Sequence, residues 1–226
     1  MTTLSKPKSV TLADQIYAEL KRRMLTCELA PGARLIEKHL CEELGVSRAS
    51  LREGLNRLMQ ERLVTLKPNC GFSVTPITLE SFANVCEMRR VVESAVAALA
   101  AERASEADIA EMRRAAVVDC AFNAENAHIV YCESNRAFHS AIAQSIDNLL
   151  LEDTVLAALD KDQQPLYYGI DIETCTNPVE VSNEHNEIVD AIEARLPEEA
   201  RKLMSDHIGK KEDRIIDALR GMGLSD

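Results

Sequence analysis

Between residues 35 and 64 two short stretches of helical period meet at a single glycine, and no other feature constrains the fold as tightly. LIEKHLCEELG (35–45) reads as an amphipathic helix built on Leu35, Ile36, Leu40 and Leu44. It ends at Gly45, the residue that most readily takes the left-handed C-cap. VSRASLREGLNRLMQERLV (46–64) opens on Ser47, whose hydroxyl can satisfy an orphan N–H of a new helix. Leu51, Leu55 and Leu58 then repeat at helical spacing and face a core. Arg48 and Arg52 stand in its first turns, where a cation opposes the helix dipole. That placement suggests an outside anion, although a single arginine there is ordinarily just solvated. Two helices joined this way make a helix-turn-helix.

The flanks complete a domain. TLADQIYAELKRRMLTCEL (11–29) predicts a first helix capped by Thr11, with Leu12, Ile16, Leu20 and Met24 as its stripe. LVTLKPNCGFSVTP (63–76) alternates apolar and polar residues around Pro68-Asn69-Cys70-Gly71, the pattern of a β-hairpin. Helix-turn-helix plus hairpin is a winged helix, over residues 11–76, behind a flexible arm at 1–10.

The run APGARLIEKHLCEELGVSRASLREGLNRLMQERLV with P-x-x-G-x-x-V (68–74) resembles the DNA-binding domain of the GntR family of bacterial transcription factors. The resemblance implies a partner, a near-palindromic double-stranded operator bound by a homodimer. Ser47, Arg48 and Arg52 would start the recognition helix in the major groove, the arginines facing guanine edges. Lys38 and Arg57 would meet phosphates, and Gly71 would let the wing turn sharply near the backbone. Two positions depart from the family: Cys70 stands where relatives place a basic residue, and Arg62 replaces a helix-ending glycine. If position 62 is left-handed, arginine costs roughly 1–2 kcal/mol there.

At 226 residues the chain is long enough for two domains. Charge divides with them. Residues 1–75 hold 12 Lys+Arg against 8 Asp+Glu, a net of +4; the remainder holds 14 against 29, a net of −15, and the two sum to −11. A basic reader and an acidic remainder suit one domain that meets phosphates and another that does not. No apolar run approaches a membrane span, and MTTLSKPKSV lacks a signal-peptide core. Seven cysteines without a C-x-x-C pair read as small buried residues of a reducing compartment. A cytoplasmic protein is expected.

Residues 78–221 predict six helices with almost no strand signal: 79–104 capped by Thr78, 106–124 capped by Ser105, then 127–146, 148–163, 179–195 and 198–220. An irregular piece, 164–178, interrupts them. The fold class is therefore mostly α, a winged helix-turn-helix followed by an antiparallel six-helix bundle. M-R-R-V-V-E (88–93), N-R-A-F-H (135–139) and two late histidines resemble the FCD ligand-binding domain of the FadR subfamily, in its six-helix form.

His139, His185 and His207 fall on three predicted helices, and Asn135 stands one turn before His139. Scattered histidines are more often core or surface residues than ligands. Here Ile142, Ile188 and Ile208 place each near an inward face, where an unpaired imidazole is costly. The FCD resemblance implies that Asn135, His139, His185 and His207 hold a divalent metal, with zinc first and nickel second on imidazole preference. Many relatives carry Asp at position 135, and a neutral carbonyl oxygen is a weaker ligand. Arg89 has two readings: a clamp on an effector's carboxylate, or an intrahelical pair with Glu93.

The function expected is a DNA-binding regulator, a repressor released by a small organic acid at the metal. A metal-sensing or effector-independent regulator is the alternative. A metal-dependent enzyme would need a base beside the metal, and no H-E-x-x-H signature occurs; none is expected.

Overall fold

A computed structural model describes residues 11–68, 70–118, 127–168 and 177–224. The proposed arm, Asn69 of the hairpin turn, the end of the helix expected to reach 124 and most of the irregular piece lie outside the described residues. The chain divides into two compact units between Ile77 and Thr78.

In the first unit, α1 (Leu12–Leu25) begins with a reciprocal cap in which Thr11 accepts from the Asp14 N–H and Asp14 accepts from that of Thr11. Ala13, Ile16, Leu20 and Met24 are buried, but Leu12 is 50% exposed. At about 100° per residue the buried face centres on Leu20, and Leu12 falls at its edge. β1 (Arg34–Leu35) takes Leu35, expected to open the next helix, so α2 spans Glu37–Leu44 and Ile36 is left exposed as its N-cap. Gly45 closes α2 at φ 65°.

The second helix of the pair, α3 (Arg48–Gln60), is capped by Ser47, whose Oγ accepts from the Ser50 N–H at 3.2 Å. Leu51, Leu55 and Leu58 are fully buried against α1. Gly54 permits that approach: a methyl there would lie 3.0 Å from Ile16 Cγ2 and 3.3 Å from the Tyr17 backbone nitrogen. β2 (Val64–Lys67) and β3 (Gly71–Val74) form the wing, and β3 pairs antiparallel with both β2 and β1. Phe72 and Val74 of the central strand close the core from below.

The regular elements of the second unit, among its described residues, are all helices. α4 (Leu79–Arg103) is capped by Thr78 and Ser81 and packs on four later helices: α6 (Ala127–Gln144), α7 (Leu149–Asp162), α9 (Pro178–Glu193) and α10 (Pro197–Gly221). α5 (Glu106–Ala115) is shorter than expected, ending before Val117 and Val118. A four-residue α8 (Gln164–Tyr167) occupies part of the stretch read as irregular. The core is aliphatic, from Val96, Met112, Ile142, Leu159, Ile188, Ile192 and their neighbours, with Phe138 its one large aromatic.

Arg62 sits at φ 59°, in the left-handed region. Arg62→Gly is therefore expected to stabilise the first unit by about 1 kcal/mol, after the greater freedom of glycine in the unfolded chain is deducted. Its unfolding midpoint should rise by roughly 4 °C or more in calorimetry; an unchanged or lower midpoint would show that residue 62 stores no backbone strain.

Candidate functional site

The basic residues around α3 separate into two kinds. Arg48, its first residue, is exposed and makes no ion pair with the described residues. Lys38 is also exposed, with Glu42 3.9 Å away. Arg52 is held bidentately, its Nε and Nη2 donating to Glu37 at 2.7 and 3.0 Å, which ties α3 to the start of α2. Arg57, expected against a phosphate, reaches α1 in this structure. Its Nη1 donates to Asp14 Oδ1 at 2.6 Å and its guanidinium lies 4.2 Å from the Tyr17 ring centroid. Position 57 falls on the face of α3 that packs on α1, so the side chain is engaged within the domain. Gly71 opens β3 at φ 81°, a conformation only glycine adopts cheaply.

In the second unit, Asn135 and His139 lie one turn apart on α6, with His185 on α9 and His207 on α10. All four are buried. The imidazole centroids stand 4.8 to 5.8 Å apart, and one nitrogen of each ring comes within 4.8 Å of the others. Phe138 stacks on His185 at 3.7 Å and fixes that ring's plane.

Each Nδ1 faces an acceptor. His207 Nδ1 is 2.7 Å from Glu184 Oε2, and His185 Nδ1 is 3.3 Å from the Ala116 carbonyl. His139 Nδ1 approaches Glu93 Oε2 to 2.6 Å, close but off the hydrogen-bond line. A proton on each Nδ1 leaves the Nε2 lone pairs directed elsewhere, the tautomer that metal-binding histidines use. His185 Nε2 and both polar atoms of the Asn135 amide are buried without a partner among the described residues. Buried polar groups are rarely left so. The chemistry of this donor set, three imidazoles and an amide oxygen, fits a borderline divalent cation.

Beside the histidines lies a buried ionic cluster. Arg89 donates through Nε to Glu93 at 2.5 Å and pairs through Nη1 with Asp162 at 2.7 Å. Its Nη2 also lies 3.4 Å from His139 Nε2. Asp162, the last residue of α7, is bound on its other oxygen by Lys211 of α10. Burial works to raise both carboxyls, but Arg89 overcomes it in each: with His139 it holds Glu93 at about 2, and with Lys211 it holds Asp162 well below its usual range. Both readings of Arg89 meet here, since the intrahelical pair is present and the free guanidinium is not.

Asp162, Lys211, Glu184 and Glu37 were not singled out from the sequence. Two carried a signal: Asp162 continues the apolar stripe of Val155, Ala158 and Leu159, and Lys211 that of Met204, Ile208 and Ile215. A charge at a core position of a helix points to a buried partner. A cavity of about 410 Å³ reaches His207 from the surface, with Arg90 and Lys210 among Glu184, Glu187, Asp206 and Asp213 at its rim.

Residues 12–74 match the family described as bacterial regulatory proteins, gntR family, and residues 84–210 match the FCD domain. The chain belongs to the GntR family. This GntR regulator is 34% identical to the HTH-type transcriptional regulator McbR of Escherichia coli (strain K12) over 113 residues, 50% of this chain and 51% of that one. It is 25% identical to the HTH-type transcriptional repressor RspR of the same organism over 209 residues, 89% and 87% of the two chains. The solved structure of E. coli McbR/YncC shares its fold, with a TM-score of 0.72 at 24% identity over 95% of this chain and 100% of that one. The winged helix is thus a DNA-binding domain, and the whole is a transcriptional regulator. Among the described residues no helix is long and apolar enough to cross a membrane.

Burial of the cluster predicts a stability that depends on pH. Burial holds all three imidazoles below their ordinary 6.5, His139 at about 4 despite Glu93. The unfolded chain then binds protons more readily, so stability present above pH 6.5 is lost as pH falls through that window. Glu93, held at about 2 against an ordinary 4.5, acts with the same sign lower down. The thermal midpoint of the metal-free protein is expected to decline from pH 6.5 downward and to steepen below 4.5. A midpoint constant between 6.5 and 4 would contradict neutral, buried imidazoles.

Proposed function

We propose that this chain is a repressor that binds a near-palindromic operator as a homodimer and releases it when a small organic acid occupies a divalent-metal site. Asn135, His139, His185 and His207 hold the metal, zinc in preference to nickel. The observation that carries this reading is that one ring nitrogen of each of His139, His185 and His207 lies within 4.8 Å of the others in a buried space, where His185 Nε2 and the Asn135 amide have no partner among the described residues. When bound, the metal supplies positive charge and open positions for a carboxylate. The chain's own residues do the rest: Glu93 and Glu184 fix two ring orientations, and Phe138 fixes the third.

Arg48 and Arg52 read bases at the front of α3, while Lys38 meets a phosphate. Ser47 caps the helix, Gly71 shapes the wing, and Arg57 acts through α1 as a brace. Arg89 organises the effector chamber without being free to grip the effector, because Glu93 and Asp162 engage it.

Selection from fragmented genomic DNA of the parent organism tests the reader. Arg48→Ala is expected to weaken retention of selected fragments by roughly 1–3 kcal/mol while leaving weak general binding nearly intact. Fragments retained as tightly and as selectively as before would remove α3 as the reading element.

Elemental analysis after dialysis tests the centre. The intact protein is expected to keep a full equivalent of zinc, and His139→Ala to bind it at least about tenfold more weakly. Equal retention by the two would mean that His139 is no ligand.

A further inference from the structure

The ion-paired charges packed behind the histidines cancel before any metal arrives, and the surplus carboxylates lie at the cavity rim. Arg89 is matched by Glu93 at 2.5 Å, Lys211 by Asp162, and Lys210 by Glu184 at 2.8 Å, three cations against three carboxylates. Arg90 and Glu212 pair in the same way at 3.2 Å. The proposed ligands add nothing to this count. Three metal-binding imidazoles must be neutral, and Asn135 is an amide where a carboxylate would have supplied a negative charge.

A divalent cation in this set therefore carries its whole charge of two into a buried space. An uncompensated charge in such surroundings is costly, and the simplest remedy is an anion of equal magnitude. A monocarboxylate leaves half of the charge unanswered. Arg89 and Lys211 do not alter the balance, because each already faces a carboxylate of the protein.

We propose that the effector of this site is a small dianion, a dicarboxylate whose two carboxylates both face the metal, and that the neutral side chain of Asn135 sets this preference. The inference rests on the metal reading above and deepens it by naming the charge class of the ligand. It makes Asn135 a specificity-determining residue in addition to a ligand.

The test is titration calorimetry on the full-length, zinc-loaded protein, with metal content measured beforehand. Malonate and its monoamide, malonamate, serve as probes because they match in size and differ by one charge. Malonate is expected to bind at least about tenfold more tightly than malonamate. Asn135→Asp, which contributes the missing charge from the protein, is expected to bring the ratio close to one. Asn135→Ala, which removes the oxygen but not the charge balance, should preserve the preference even if zinc is held less tightly, and it covers the case in which the Asp variant fails to fold. A ratio near one in the wild-type protein overturns the proposal, as does a preference that survives Asn135→Asp unchanged or is lost in zinc-loaded Asn135→Ala. A protein that takes up no zinc overturns the metal reading beneath it, and the metal analysis tells that failure from the others.

Discussion

The second unit turns on a single guanidinium. Arg89 projects from α4 into an interior that is otherwise aliphatic and binds Glu93 on its own helix and Asp162 on α7. Through Glu93 it reaches His139 on α6, and through Asp162 it reaches Lys211 on α10. Four helices are thereby joined by charges that water does not screen. Aliphatic side chains tolerate small slides of one helix against another, because dispersion and burial are nearly non-directional. A buried ion pair does not, since a displaced partner leaves a charge stranded at a cost of about 3–5 kcal/mol. The cluster therefore constrains the relative register of α6 and α10, which carry His139 and His207, while Glu184 ties α9 to α10 through His207.

The first unit uses charge differently. Its pairs lie at or near the surface, where each adds little to stability. Their effect is on position. Glu37 holds Arg52 bidentately, so on the proposed reading less side-chain entropy would remain to be lost if that arginine met a base. Asp14 and Tyr17 hold Arg57 back and set how α3 lies on α1. Arg48 has no such hydrogen-bonded partner among the described residues and stands exposed at the front of the helix.

Much of this was legible in the residues. The Ser47, Thr78 and Ser105 caps place the starts of α3, α4 and α5, and Gly45 the end of α2, because these signals are local. Helix ends were misjudged where a tertiary partner intervened: Leu35 was claimed by β3 and so left the helix expected from 35. The histidines could be placed on separate helices, but their meeting rested on family resemblance, since spacing in sequence carries no distance between helices. The partners of Arg57 and Arg89 stood furthest from view. Asp14 lies 43 residues from Arg57, and Asp162 is far from Arg89 in the chain, so no local pattern joins them. What the sequence did contain was the anomaly of Asp162 and Lys211 on apolar stripes, a sign that charge is buried without a sign of where.

The engagement of Arg89 also bears on how a ligand would be felt by the rest of the molecule. If an effector were gripped by Arg89, it would have to displace Asp162 or Glu93, and each displaced carboxylate would be left in a dry interior. On the reading in which the metal alone receives the acid, the ionic cluster stays whole and its helices move as a connected set. Binding at the metal then pulls on α6, α9 and α10 through the three imidazoles, and on α4 through Glu93 behind His139. Coupling of this kind would be reciprocal: if metal and acid altered affinity for DNA, DNA would alter their affinity by the same factor. A site built from ligands on three helices, each braced from behind by a fourth group, gives that coupling a physical path, whereas a site confined to one helix would bind its ligand and change nothing.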